Sequence, residues 1–115
     1  MAAFLVSEIG PYHVAIEAQH IARILRESEL TSELNCLALP TMWRTTTAPE
    51  PYVVELLSPE KCCLILGAQT RYLHSQLVPE RLPTFLEGLQ EQGLLALLLL
   101  ETETLYLLDP ARLFQ

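Results

Sequence analysis

The sequence predicts a mainly β fold, a single domain over residues 1–115 built as a small barrel or sandwich. Three observations predict it. Short apolar or alternating segments recur with turn signals about every eight to twelve residues, the spacing of small all-β units rather than of a layered nucleotide-binding fold. A length of 115 residues supplies one core, so two small barrels would have to share it. Half of the residues are apolar and 18% are charged, enough hydrophobic surface to offset chain entropy without metals or disulfides.

The elements follow in order. Ala2 to Ser7 carries Phe4, Leu5 and Val6; Gly10-Pro11 turns the chain, and Tyr12, Val14 and Ile16 alternate with His13 and Ala15, which reads as a hairpin. Ala18, Ile21, Ala22 and Leu25 then fall at helical spacing, with Glu17, Gln19, Arg23 and Arg26 off that stripe, and predict a short amphipathic helix. Glu27 to Pro51 is polar and punctuated by Pro40, Pro49 and Pro51, a long connection with one short strand that covers the core more readily than it meets a partner.

Strand signals return at Tyr52–Leu57, Cys62–Leu66 and Tyr72–Val78, separated by Ser58-Pro59-Glu60 and Gly67, and predict three successive antiparallel strands. Pro83 followed by Thr84-Phe85-Leu86-Glu87 is a capping-box pattern for a two-turn helix that Gly93 would end. Leu94 to Leu100 lacks polar alternation and predicts a strand covered on both faces. Glu101 to Thr104 turns the chain into Leu105–Leu108, and Asp109-Pro110 pairs an N-cap with the residue best tolerated at the first helical position.

Charge and cysteine usage narrow the function classes. The net charge is −7, and the seven basic residues are never adjacent, so a phosphate-tracking patch for nucleic acid or an anionic membrane is disfavoured. The seven-residue apolar run at Leu94 is far below the about 20 residues a spanning helix needs, and no Lys or Arg precedes the first apolar stretch to make a signal peptide. Three cysteines, two of them adjacent, do not form a disulfide framework, which predicts a reducing, cytoplasmic setting.

Chemistry-bearing patterns are sparse. His13, His20 and His74 have no ligand at metal spacing, and no Gly-rich phosphate loop or strained nucleophile turn occurs, so neither a metal nor a cofactor is predicted. Asp109, the only aspartate, is explained as a cap, and Glu101 with Glu103 reads as a solvated hairpin tip. Cys62 and Cys63 could serve a thiol-dependent redox enzyme, with Lys61 adjacent, but lie in a strand pattern where cysteine behaves as a small hydrophobe. A non-enzymatic, protein-binding role is the expectation, with the thiol enzyme as the alternative.

Three segments resemble the CheW-like family of chemotaxis coupling proteins. Tyr12-His13-Val14-Ala15-Ile16 followed by Ile21-Ala22-Arg23-Ile24-Leu25 resembles its first barrel strand and the segment after it. Arg71-Tyr72-Leu73 through Leu77-Val78 resembles the corresponding strand of the second barrel, and Leu105 to Phe114 is similar to the closing Leu-Leu-Asp-x-x-x-Leu signature. The middle departs from the pattern: Glu55 replaces a glycine, Glu60-Lys61 stands where Arg-Gly is expected, and a Pro-Val-x-Asp-Leu strand is absent.

The resemblance implies two interlocked SH3-like barrels, the first of them reduced, in an adaptor for a chemosensory array of chemotaxis or gliding motility. The accessory Frz-type members are the class that such a shortened chain is similar to. It implies binding to the cytoplasmic tip of a methyl-accepting chemoreceptor, with coupling to a CheA-type histidine kinase reduced or lost. Ile21, Ile24 and Leu25 match positions that face the receptor in the family, and Leu77 and Val78 complete the partner-binding set; the competing reading places all three of Ile21, Ile24 and Leu25 in the core, with exposure favoured for Ile24 alone and Ile21 and Leu25 left open.

Overall fold

The computed structural model describes residues 2–30, 35–57, 62–76, 79–82, 84 and 93–114. The strands are β1 (Ala2–Ile9), β2 (Tyr12–Glu17), β3 (Ile21–Arg26), β4 (Asn35–Ala38), β5 (Tyr52–Leu56), β6 (Cys62–Ile65), β7 (Thr70–Ser75), β8 (Leu94–Leu99) and β9 (Thr104–Leu108). Two one-turn helices, α1 (Leu39–Met42) and α2 (Pro110–Leu113), complete the described elements together with short 3₁₀ turns at Ala18–His20 and Glu27–Glu29. The larger sheet has the order β7-β1-β2-β9-β8 and the smaller one β3-β5-β6-β4. The smaller sheet is thus drawn wholly from the chain between β2 and β7, inserted into the larger one, and the two units interlock.

Period-two alternation decides which way each side chain points. In β1 and β2, Leu5, Ile9, Val14 and Ile16 face the smaller sheet, whereas Phe4, Val6 and Ala15 face the interior of the larger unit. β9 repeats the division, with Leu105 and Leu107 inside the larger unit and Leu108 between the sheets. Three apolar clusters result: one inside each unit and the largest between them, where Leu39, Val54, Leu64, Leu94 and Leu113 join residues of both sheets. The apolar run at Phe4 to Val6 is therefore a strand buried on both faces.

Cross-strand register orders the smaller sheet into rows. Ile24, Val54, Leu64 and Leu37 are consecutive partners across all four strands, a row on the face turned to the larger sheet. The next row, Arg23, Glu55, Cys63 and Cys36, lies on the opposite face. There Cys36 and Cys63, partners on the parallel strands β4 and β6, are joined by a disulfide. Consecutive Cys62 and Cys63 point to opposite faces, one into the intersheet cluster and one into the interior of the smaller unit.

The sheets are stitched where β6 passes into β7. The Ser7 hydroxyl, the buried polar side chain among the described residues, accepts from the Gly67 amide at 3.0 Å and lies 3.2 Å from the Thr70 hydroxyl. Gly67 also accepts from the Tyr52 amide at 3.1 Å, so β1 and β5, from different sheets, meet on one residue. A Cβ on Gly67 would collide with the Glu8 carbonyl oxygen, which is why the crossing needs glycine. After β9, Asp109 caps α2 through the Ala111 amide at 3.2 Å, as its Asp-Pro signature predicts.

Several expectations are corrected. The helix expected over Ala18 to Leu25 is a 3₁₀ turn followed by β3, because pairing with β5 makes the segment a strand: Ala22 is exposed, Leu25 faces away from Ile21, and a bulge between Ile21 and Arg23 lets Ile21 and Ile24 share one face. The three strands from Tyr52 are not one antiparallel run: β5 and β6 pair, but β7 crosses to the larger sheet and pairs with β1, Phe4 opposite Leu73. The segments assigned by resemblance to separate barrels, Tyr12–Ile16 and Arg71–Leu73, thereby lie in one sheet, on either side of β1.

β8 is covered fully on one face, at Ala96 and Leu98, and only in part on the other, where Leu97 is half-buried against the intersheet cluster while Leu95 and Leu99 are exposed. Its outer edge is met at Leu97 by Glu80, in the segment leaving β7, which brings the two edges of the larger sheet toward each other. Three cysteines do make a disulfide, since register, invisible in spacing, sets Cys36 opposite Cys63. The connection over 27–51 does carry one strand, β4, and covers the core through fully buried Leu39. The turn at Ser58-Pro59-Glu60 and nearly all of the helix expected from Thr84 toward Gly93 fall outside the described residues.

Candidate partner-binding surface

β3 is an edge strand, paired only with β5 among the described residues, and it carries three of the expected partner-binding side chains. Ile21 and Ile24 are half-buried and rest on the intersheet cluster, leaving part of each side chain at the surface. Leu25 points the other way, 5% exposed against Val53 and Cys63, and is a core residue of the smaller unit. Leu77 and Val78 lie outside the described residues. The structure therefore brings Ile21 and Ile24 together on one face and sets Leu25 apart from them.

Polar groups frame that strand. Arg23 Nε donates to Glu55 Oε2 at 2.8 Å, and the Arg26 guanidinium lies 4.4 Å from the centre of the Tyr52 ring, a cation–π contact. The Arg26 amide donates to Glu29 at 3.0 Å, closing the turn that follows β3. Arg26, Glu27 and Ser28 face Pro49, Glu50 and Pro51 across a shallow cleft of ≈ 500 Å³.

An aromatic cluster that sequence reasoning did not single out stands elsewhere on the surface. Tyr12, Trp43 and Tyr106 meet edge to face in all three pairs, with centroids 5.2, 5.8 and 5.9 Å apart. Tyr12 and neighbouring Met42 are exposed, whereas Trp43 and Tyr106 are half-buried against the intersheet cluster. The residues come from β2, the end of α1 and β9, so their convergence leaves no local signal. Such amphipathic rings are common at protein interfaces.

Glu103 is not a solvated tip. His13 Nδ1 donates to Glu103 Oε2 at 2.6 Å, Arg71 pairs with the other carboxylate oxygen, and Glu8 lies 3.5 Å from His13 Nε2. The hydrogen bond from His13 foremost, with help from Arg71 and against some desolvation, holds the Glu103 carboxyl below the usual carboxylate range. This network ties β1, β2 and β7 to the β8–β9 turn.

The thiol chemistry has no presented nucleophile. Cys63 is fully buried and disulfide-bonded, and Cys62 is 3% exposed in the intersheet cluster, so neither offers a substrate the accessible thiolate a redox enzyme uses. Among the described residues there is no group of three or more His, Cys, Asp or Glu side chains placed to hold a metal ion, and no helix long and apolar enough to cross a membrane.

No family model matches the sequence, and no curated protein matches it. Among solved structures, the crystal structure of scaffolding protein TtCheW from Thermoanaerobacter tengcongensis matches with a TM-score of 0.70, over 94% of this chain and 88% of that chain, at 7% sequence identity. The chain therefore has the CheW fold, two β units joined through a shared core.

Proposed function

We propose that this chain is a non-enzymatic, cytoplasmic adaptor of a bacterial chemosensory array, serving chemotaxis or gliding motility. It holds the signalling tip of a chemoreceptor's cytoplasmic domain, while its coupling to a CheA-type histidine kinase is reduced or lost. The single observation that carries the reading is the two-unit fold, shared with a scaffolding protein over nearly the full length of both chains. Burial of Cys62 and Cys63 supports a binding role over thiol catalysis.

The contact is made by Ile21 and Ile24 on the β3 edge together with Leu77 and Val78, with Leu25 supporting the strand from beneath. A helical tip laid on a β surface needs such apolar anchors. A weakened kinase contact is supported by the smaller sheet having four strands among the described residues and by Glu60-Lys61 standing where the family has Arg-Gly. Accessory members of the Frz type fit this combination.

Pull-down of the purified chain with a receptor signalling domain and, separately, with a kinase regulatory domain tests the reading. Retention of the receptor with little kinase is expected. Firm kinase binding without receptor binding would reverse the assignment.

A further inference from the structure

The disulfide and the aromatic cluster are coupled by the chain between them. Cys36 sits on β4, a four-residue edge strand whose sole strand partner among the described residues is β6, in parallel register. Parallel pairs are somewhat weaker per residue than antiparallel ones and an edge strand is paired on one side only, so the covalent link to Cys63 adds to the restraint that pairing with β6 and the packing of Leu37 give β4. β4 runs directly into α1, and α1 ends at Trp43, whose ring rests on Tyr12 and Tyr106 of the other sheet. Leu39, fully buried, anchors the segment midway.

We infer that Cys36–Cys63 is a redox latch: a thiol-disulfide exchange site at Cys36 whose opening loosens β4–α1 and releases Trp43 from the aromatic cluster. The reactant is a dithiol reductant. Its thiolate attacks Cys36 Sγ, the member of the pair that is only half-buried, and the S–S electron pair leaves on Cys63 Sγ, which takes up a proton. The reductant's second thiolate then attacks the mixed disulfide and expels Cys36, which is also protonated. Two electrons enter the protein, and the dithiol departs as a cyclic disulfide.

The surface changed by this step is specific. Tyr12 and Met42 are already exposed, and withdrawal of Trp43 removes the ring that packs on Tyr12. The β1–β2–β9 framework holds through its own pairings and does not include either cysteine. Opening is thus local, confined to the segment from Asn35 to Trp43.

Trp43 is the sole tryptophan of the chain, so its emission reports the latch directly. The full chain would be measured oxidised and after dithiothreitol, alongside Cys36→Ala and a Cys62→Ala control, with peptide mass mapping of the linkage and amide hydrogen exchange. Expected are a mapped Cys36–Cys63 linkage, a red shift of emission on reduction, and roughly tenfold or faster exchange over 35–43 with β1, β2 and β9 unchanged. Cys36→Ala should show the reduced-state signature and ignore dithiothreitol, whereas Cys62→Ala should respond as the wild type does. An unmapped linkage, an unchanged emission and exchange in the reduced chain and in Cys36→Ala, or loss of protection throughout both sheets would overturn the inference.

Discussion

Replacing Cys36 by alanine opens a covalent loop whose ends are 27 residues apart in sequence. In the chain-entropy description, closing such a loop removes about 12 cal/mol/K from the unfolded ensemble, worth about 3.5 kcal/mol at room temperature. Alanine at Cys36 gives up little packing, because the side chain is only half-buried, and Cys63 left as a thiol remains a small hydrophobe inside the unit. A chain of 115 residues unfolds with an entropy of about 0.24 kcal/mol/K, so the loss corresponds to roughly 15 °C in Tm. Thermal unfolding followed by circular dichroism, comparing oxidised wild type, reduced wild type and Cys36→Ala, gives the number. The two open forms should melt together and well below the oxidised one. A difference under about 4 °C would mean that the unfolded chain is already constrained there, or that the link adds no stability, and would refute the reasoning.

The remaining predictions concern the junction and the carboxylate network. Ser7→Ala leaves the buried Gly67 amide without its acceptor and should cost about 1–3 kcal/mol in denaturant unfolding; an unchanged midpoint would show that this hydrogen bond does not join the sheets. Glu103 has a folded pKa below its unfolded one, so its contribution is present above the ordinary carboxylate value and is lost as pH falls through the folded value. Glu103→Gln should therefore be less stable than wild type at neutral pH, with the gap narrowing below pH about 4.5; a gap independent of pH would contradict the His13 and Arg71 pairing.

What could be read in the sequence was local. Gly10-Pro11 between alternating strands set the first hairpin, and the Asp109-Pro110 cap set the closing turn, because each signal lies within a few residues of its effect. Three features defeated that reading for a common reason: their partners are distant. Ala18, Ile21, Ala22 and Leu25 imitate a helical stripe, and only pairing with β5 reveals a bulged strand that sends Ile21 and Leu25 to opposite faces. β7 joins β1, β2 runs parallel to β9, and β4 runs parallel to β6, pairings that no turn residue encodes. The Cys36–Cys63 link, the His13–Glu103 contact and the Tyr12–Trp43–Tyr106 cluster all follow from those long-range registers.

For the candidate surface, the sequence reached β3 by resemblance, favoured exposure for Ile24 and left Ile21 and Leu25 open between core and surface. Register separates them: Ile24 stands in the row with Val54 and Leu64, and Leu25 in the row with Val53 on the opposite face. That division is physical rather than compositional, since all three side chains are equally apolar.

The adaptor role stands most directly on calorimetric titration of the purified chain with a receptor fragment carrying its helical signalling tip. Wild type should bind saturably, and Ile24→Glu, confirmed folded by circular dichroism, should weaken binding by about tenfold or more, while Glu101→Gln, in the exposed β8–β9 turn and outside the proposed contact, should leave it unchanged. Absence of binding by the wild type, or equal binding by Ile24→Glu, would contradict a receptor contact through β3.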